Sequence, residues 1–301
     1  MCVAYFLFIG DSKENFTDAS NKTISVDSKL SPHNAKIRTE DKPEPISTIP
    51  KESYTESDAL RYIQRDSWRL VGNLIDNYAE LLERHNQGDL VASYILSVNL
   101  QYCWYAPSTQ EGFDQALLEA QELGESDKYL QNLNRRFEFC HGIDKPKRDQ
   151  FYQFLETASN GGYVPAQEAL GRISAVTFME TQGYNDLPRE QYIETRDQFI
   201  EDKIRYLESA SSNGSMRAVA RLANMYNSQN YGANGLMKAY AYNNVILEFT
   251  DNNKLYDRYT WFQQHLESKI SQQEIEQALE ISSKIIAKIR QNGTIYRFED
   301  E

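Results

Sequence analysis

From about Ser57 onward, apolar side chains return every three or four positions with polar ones between them, the spacing of helices that bury one face. The period predicts a first helix through Leu60, Ile63, Trp68, Val71, Leu74, Ile75, Tyr78, Leu81 and Leu82. A second follows Gly88, carries Leu90, Val91, Tyr94, Ile95 and Val98, and runs to Cys103 before Pro107 breaks it. Phe113, Ala116, Leu117 and Ala120 mark a third helix ending near Gly124. Tyr129, Leu130, Leu133 and Phe137 mark a fourth, ending at Cys140-His141-Gly142. A helix pair occupies 149–180, and Pro188 suits the first turn of a long helix reaching Asn213. The Asn-, Tyr- and Gly-rich stretch Asn224–Gly235 predicts a loop, with helix again over Lys238–Asn243. Ser271-Gln272-Gln273-Glu274 is a capping box, opening a last helix with Ile275, Ala278, Leu279, Ser282, Ile285, Ile286 and Ile289 on one face. Gln291-Asn292-Gly293 ends it, and no strand is expected.

One short pattern recurs inside this helical run. Its copies are Gly88-x-x-x-Ala92-x-x-x-Leu96, Gly162-x-x-x-Ala166-x-x-x-Leu170 and Gly214-x-x-x-Ala218-x-x-x-Leu222. The second and third also share the preceding helix, Leu155 and Ala158 matching Leu207 and Ala210 in register. Glycine ends one helix where positive φ is needed, alanine lets the next helix close against it, and leucine fills the core one turn on. Such a unit cannot bury its apolar face alone and must stack on neighbours. The expected fold is therefore all-α, an α/α superhelix (solenoid) of stacked helix hairpins, with the second helix of each hairpin presenting side chains to a partner.

The amino-terminal part differs. Residues 1–10 hold the apolar run Val3–Gly10, which resembles the core of a secretory signal but lacks a basic lead and an Ala-x-Ala site. A truncated signal peptide and a plain apolar segment both fit, and Cys2 has no lipobox before it. Residues 11–56 are polar, hold Pro32, Pro43, Pro45 and Pro50, and read as a disordered tether. The remainder divides into a helical region with degenerate repeats (57–148), the clear repeats (149–250) and carboxyl-terminal capping helices (251–301). No run is long enough to span a membrane, so a membrane tether is expected through the N-terminus only.

The net charge of −12 argues against nucleic acid as a partner. Cys103 and Cys140 end the second and fourth helices, which run the same way in a hairpin stack, so a disulfide is expected; buried reduced thiols are the alternative. Zinc at Cys103, Cys140 and His141 lacks a fourth ligand. The histidines (His33, His85, His141, His265) fall in the tether or at helix ends. No triad order, P-loop or His-Glu-x-x-His occurs, so no catalytic, cofactor-binding or metal-binding residues are assigned. Asn-x-Thr tripeptides at Asn15, Asn21 and Asn292 arise readily by chance in a polar chain. Among the aromatics near helix turns (Tyr102, Trp104 and Tyr105 among them), Tyr226, Tyr231, Tyr240, Tyr242 and Trp261 are the candidates for partner binding, with packing between repeats as the alternative for each.

The unit Leu-Glu-x-Ala…Gly-x-x-x-Ala-x-x-x-Leu, followed by a loop and Lys238-Ala239-Tyr240-Ala241-Tyr242, resembles the Sel-one-like repeat, a relative of the tetratricopeptide repeat. The resemblance covers 154–173 and 206–245 well and 79–103 fairly. The Asp usual before Lys-Ala is missing here. The resemblance implies an α/α superhelix and protein–protein interaction, often in bacterial envelope or signalling settings. Its matching residues are packing residues, so it carries over no catalytic position. A non-enzymatic scaffold for a protein or peptide, periplasmic or otherwise exported, is the reading that follows. An envelope enzyme or enzyme modulator acting on cell-wall material is the alternative, and would need paired carboxylates in a cleft.

Overall fold

Three glycines set the turns. Gly88, Gly162 and Gly214 sit at φ of +87°, +84° and +85°, each just past the end of a helix. That conformation costs a side chain about 1–2 kcal/mol and glycine almost nothing. The computed structural model describes residues 60–228 and 234–298. The apolar run, Cys2, the tether and Tyr231 lie outside those residues. In order, the chain forms β1 (Arg61–Tyr62), α1 (Leu74–Asn86), α2 (Leu90–Trp104), α3 (Gln110–Glu122), α4 (Asp127–Cys140) and a single turn α5 (Lys145–Arg148). There follow α6 (Phe151–Asn160), α7 (Val164–Arg172), α8 (Ala175–Thr181), α9 (Arg189–Ser212) and α10 (Met216–Asn227). Then come α11 (Gly235–Phe249), α12 (Asn253–Glu267), α13 (Gln272–Asn292) and β2 (Thr294–Ile295). The fold is all-α, with hairpins layered in sequence: α1 on α2, α2 on α6, α6 on α7, α7 on α9, α9 on α10, and α10 on α11.

The repeat positions lie inside these layers. Ala92, Leu96, Leu155, Ala158, Ala166, Leu170, Leu207, Ala210, Ala218 and Leu222 are each 1% exposed or less. Two of the repeat helices also carry a cap directly after the glycine. Asp89 accepts from the N–H groups of Val91 and Ala92 at 2.9 and 3.1 Å, and Ser215 accepts from Ala218 at 3.0 Å. Those contacts satisfy amides that a helix start leaves open.

The region where the repeat fades, 104–148, is held by other means. Cys103 and Cys140 are joined by a disulfide with Cα atoms 5.4 Å apart, and both are fully buried. The zinc arrangement is thereby excluded for these two sulfurs. Buried Arg148 donates from Nε to the Ile143 carbonyl at 2.8 Å and from Nη1 to the Ala106 carbonyl at 2.6 Å. The two cysteines are 37 positions apart, and opening such a loop is expected to cost roughly 3–4 kcal/mol. Urea midpoints of the oxidised chain and the Cys103→Ser/Cys140→Ser double variant measure it.

Three expectations need correction. Residues 60–73 are not the first turns of a helix. They form an extended strap, because their apolar side chains reach separate places: Leu60 packs on the carboxyl-terminal core cluster, while Trp68 and Leu70 pack on the amino-terminal one. Val71, counted into the helical period, is 95% exposed. The expected loop from Asn224 starts later, since α10 buries Met225 and Tyr226 and runs to Asn227. Finally, there is a small sheet: β1 pairs in parallel with β2, Arg61 opposite Thr294 and Tyr62 opposite Ile295.

That sheet brings the strap and the tail together over the α9–α10 turn. The Tyr296 N–H donates to the Gly214 carbonyl at 2.9 Å, and the Met216 N–H donates to the Tyr296 carbonyl at 3.1 Å. Asn292 donates to the Ser212 carbonyl at 2.8 Å, so its amide is engaged in tail docking. The strap meets the second helices of the hairpins directly. Asn99 of α2 donates to the Trp68 carbonyl at 2.8 Å. Arg65 pairs with Glu168 of α7 through Nε to Oε2 at 2.8 Å and Nη2 to Oε1 at 2.7 Å. The side chains of this pair are only 8% and 6% exposed. Strap and tail thus cover much of the face expected to meet a partner; Val164–Gly171 of α7 is buried throughout.

Candidate functional site

A groove opens at the carboxyl-terminal end of α10. Helix α10 carries Asn224 and Asn227 one turn apart, and α11 contributes Asn243. Trp261 and His265 stand on α12, one helical turn apart, and Lys269 follows just past its end. Together with Ala223, Phe262 and Leu266 these residues line a cavity of about 260 Å³. Trp261 is 59% exposed and lies parallel to the His265 ring, centroids 5.5 Å apart. Asn243 is 5% exposed, yet its carboxamide has no hydrogen-bond partner among the described residues. The side chains of Asn224 and Asn227 are equally unengaged among the described residues. In a chain with 44 Asp and Glu residues, the lining holds none. The Asn243 amide is not fully enclosed and so opens into the cavity, where a bound group can engage it.

The other aromatic candidates face inward. Tyr226, Tyr240 and Tyr242 are buried, Tyr226 stacked on Tyr242 with centroids 5.8 Å apart. The Tyr240 hydroxyl donates to Glu267 at 2.8 Å, and Lys238 lies over the Tyr226 ring at 4.8 Å. Their place is in the packing between α10, α11 and α12 and not on a partner-facing surface. Trp261 alone of the candidates in the described residues presents its ring to solvent.

Two further cations close a helix end, one of them, Lys203, buried. Lys203 of α9 donates to the Ile173 carbonyl at 2.8 Å, and Arg221 donates to the Gly171 carbonyl at 3.2 Å, so two cations face the end of α7. Burial, with Arg221 adding to it, pulls the Lys203 ammonium down to about pH 8. Burial, then the nearby Glu208, pushes the Tyr226 phenol up to about 12; burial, then the hydrogen bond to Glu267, does the same for Tyr240. Carboxyls with displaced pKa values all move downward: Asp89 despite its burial, through N–H donors and Arg84; Asp144 beside Lys147; Glu274 in its capping box; Glu280 beside Lys284.

These shifts predict an alkaline profile with opposite arms. Lys203 holds its proton less tightly folded than unfolded, so its contribution to stability rises as pH climbs from about 8 to 10.5. The tyrosines hold theirs more tightly, so their contribution is full below pH 10 and is lost as pH passes about 12. Urea midpoints against pH should rise and then fall, and Lys203→Met should flatten the rise while leaving the fall in place.

None of the lining residues except Trp261 was singled out by the sequence, although Trp261, His265 and Lys269 recur at four-residue spacing and so share a side. Among the described residues no group of three or more His, Cys, Asp or Glu is arranged to hold a metal ion, and no helix is long and apolar enough to cross a membrane. Comparison with family models, curated proteins and solved structures finds no match to this chain.

Proposed function

We propose that this chain is an exported, disulfide-stapled interaction scaffold of the Sel-one-like type, which binds a protein or peptide partner without catalysing a reaction on it. The observation that carries the reading is the layered hairpin stack whose repeat positions are wholly given to packing, leaving a polar groove with an exposed indole at one end of the partner-facing side. Indole is the side chain that most often anchors interfaces. The carboxyls offer nothing that an acid–base reading requires. Glu168, the most buried of them, is committed to Arg65 and Ser215, and the displaced carboxyls are held ionised. Export accounts for the disulfide, since cytoplasmic thiols are kept reduced.

Affinity capture from the native host, in oxidising buffer and with Trp261→Ala as a folded control, tests the scaffold reading. A partner recovered by the wild-type chain at constant stoichiometry, in competition with free chain, is the expected result. Turnover of cell-wall material without any captured partner is the result that replaces this reading with an enzymatic one.

A further inference from the structure

We infer that the groove between α10, α11 and α12 holds an extended peptide segment by its backbone amides, with an apolar side chain against Trp261 and an acidic one at Lys269. The inference rests on the scaffold reading and gives the partner its chemistry.

The chain itself supplies the template. Its strap crosses the second helices as an extended segment and is held in two ways. A carboxamide on α2, Asn99, donates to a strap carbonyl, and a charge on α7, Glu168, pairs with a strap side chain. Helix α10 is the next second helix in the stack. The strap does not reach its carboxyl-terminal end, and there the same kinds of group recur around the cavity. Asn224, Asn227 and Asn243 each offer a donor and an acceptor, the complement of a peptide group. Asn243 is the innermost of the three: only 5% of the residue is exposed, and its amide is turned to the cavity and makes no side-chain hydrogen bond to the described residues.

The charge is reversed relative to the strap. In the strap the cation belongs to the segment and the carboxylate to the helix; in the groove the fixed charge is Lys269. The lining has no carboxylate to neutralise it. A segment carrying Asp or Glu there gains a charge-assisted hydrogen bond. The indole of Trp261, braced from behind by His265 and edge-on by Phe262, offers one flat open face to an apolar side chain. The volume, just below the ~300–1,000 Å³ range of ligand pockets, takes one or two residues and not a folded domain.

The test uses the full oxidised chain and three probes: acetyl-Leu-Asp-Leu-amide, its Leu-Asn-Leu counterpart, and glucuronic acid. Nuclear magnetic resonance follows the Trp261 indole N–H, assigned by its loss in Trp261→Phe, and the side-chain amides of Asn224, Asn227 and Asn243. The Asp peptide should shift these signals saturably and bind up to about fivefold more tightly than the Asn peptide. Lys269→Ala should erase that preference, and Asn227→Ala should weaken both peptides alike. All three positions are exposed, so the variants keep the fold. Absence of saturable shifts with either peptide overturns the inference. So does peptide binding that survives Trp261→Ala and Asn227→Ala unchanged, or a larger response to glucuronic acid, which would make the groove a sugar site. If the host partner is still captured by Trp261→Ala and Asn227→Ala, the scaffold reading stands and this groove is not its site. If the peptides bind as described but no partner is captured, the groove chemistry stands and the scaffold reading falls.

Discussion

Replacing Gly214 with valine is expected to destabilise the protein by about 4 kcal/mol or more, enough to leave a marginal domain largely unfolded. Two causes act together. The residue sits at φ +85°, which a β-branched side chain adopts badly. A Cβ there would also lie 2.0 Å from the Thr294 carbonyl oxygen and 2.9 Å from the Ile295 Cα, both backbone atoms that cannot rotate away. Gly162 provides the control. Its φ is nearly the same, at +84°, but nothing lies within 4 Å of an added Cβ. Gly162→Val should therefore cost only the conformational part, about 1–3 kcal/mol. Equal melting of the two variants would mean that the tail does not dock in the α9–α10 turn.

Glu168→Ala is expected to cost about 3–5 kcal/mol, because it removes the carboxylate to which the buried Arg65 is paired. Ser215 loses its acceptor as well, its hydroxyl lying 2.5 Å from Glu168 Oε1 while also capping α10. One residue thus joins the strap, α7 and the start of α10, with the tail held alongside by the bond from Arg65 Nη1 to the Arg297 carbonyl. Replacing both partners together, as Arg65→Met/Glu168→Met, should recover much of the loss, since an apolar pair of similar volume substitutes well for a buried ion pair. A single-variant loss below about 1 kcal/mol would place the strap in solvent.

The helices were legible because packing and period agree. Positions such as Ala92, Leu155 and Leu222 are buried where a 3.6-residue repeat puts them, and the positive-φ glycines mark the turns. The strap misled for a physical reason: Leu60, Ile63, Trp68 and Val71 have helix-like spacing, yet Leu60 and Trp68 anchor an extended chain on two separate core clusters and Val71 is exposed. Nothing local in a sequence distinguishes those cases. Glu168 left a faint sign, the one charged residue within Val164–Gly171, but its partner is 103 positions away. The groove was masked by composition. Asn224 and Asn227 counted toward a polar loop, whereas burial of Met225 and Tyr226 continues the helix and fixes both amides on one side of it. Tyr226, Tyr240 and Tyr242 follow the packing alternative, because abundance and nearness to turns do not tell a packed ring from an offered one.

The most direct test of an exported, stapled scaffold is the state of Cys103 and Cys140 in protein taken from its own host. Both are fully buried, so thiol labelling must be done in denaturant, with alkylation at the moment of lysis and peptide mapping of each position. The expected result is no label on either cysteine before reduction and full label on both after it. Full labelling of both without reductant would contradict the account, removing the disulfide, the evidence for export and the staple across 104–148 in a single measurement.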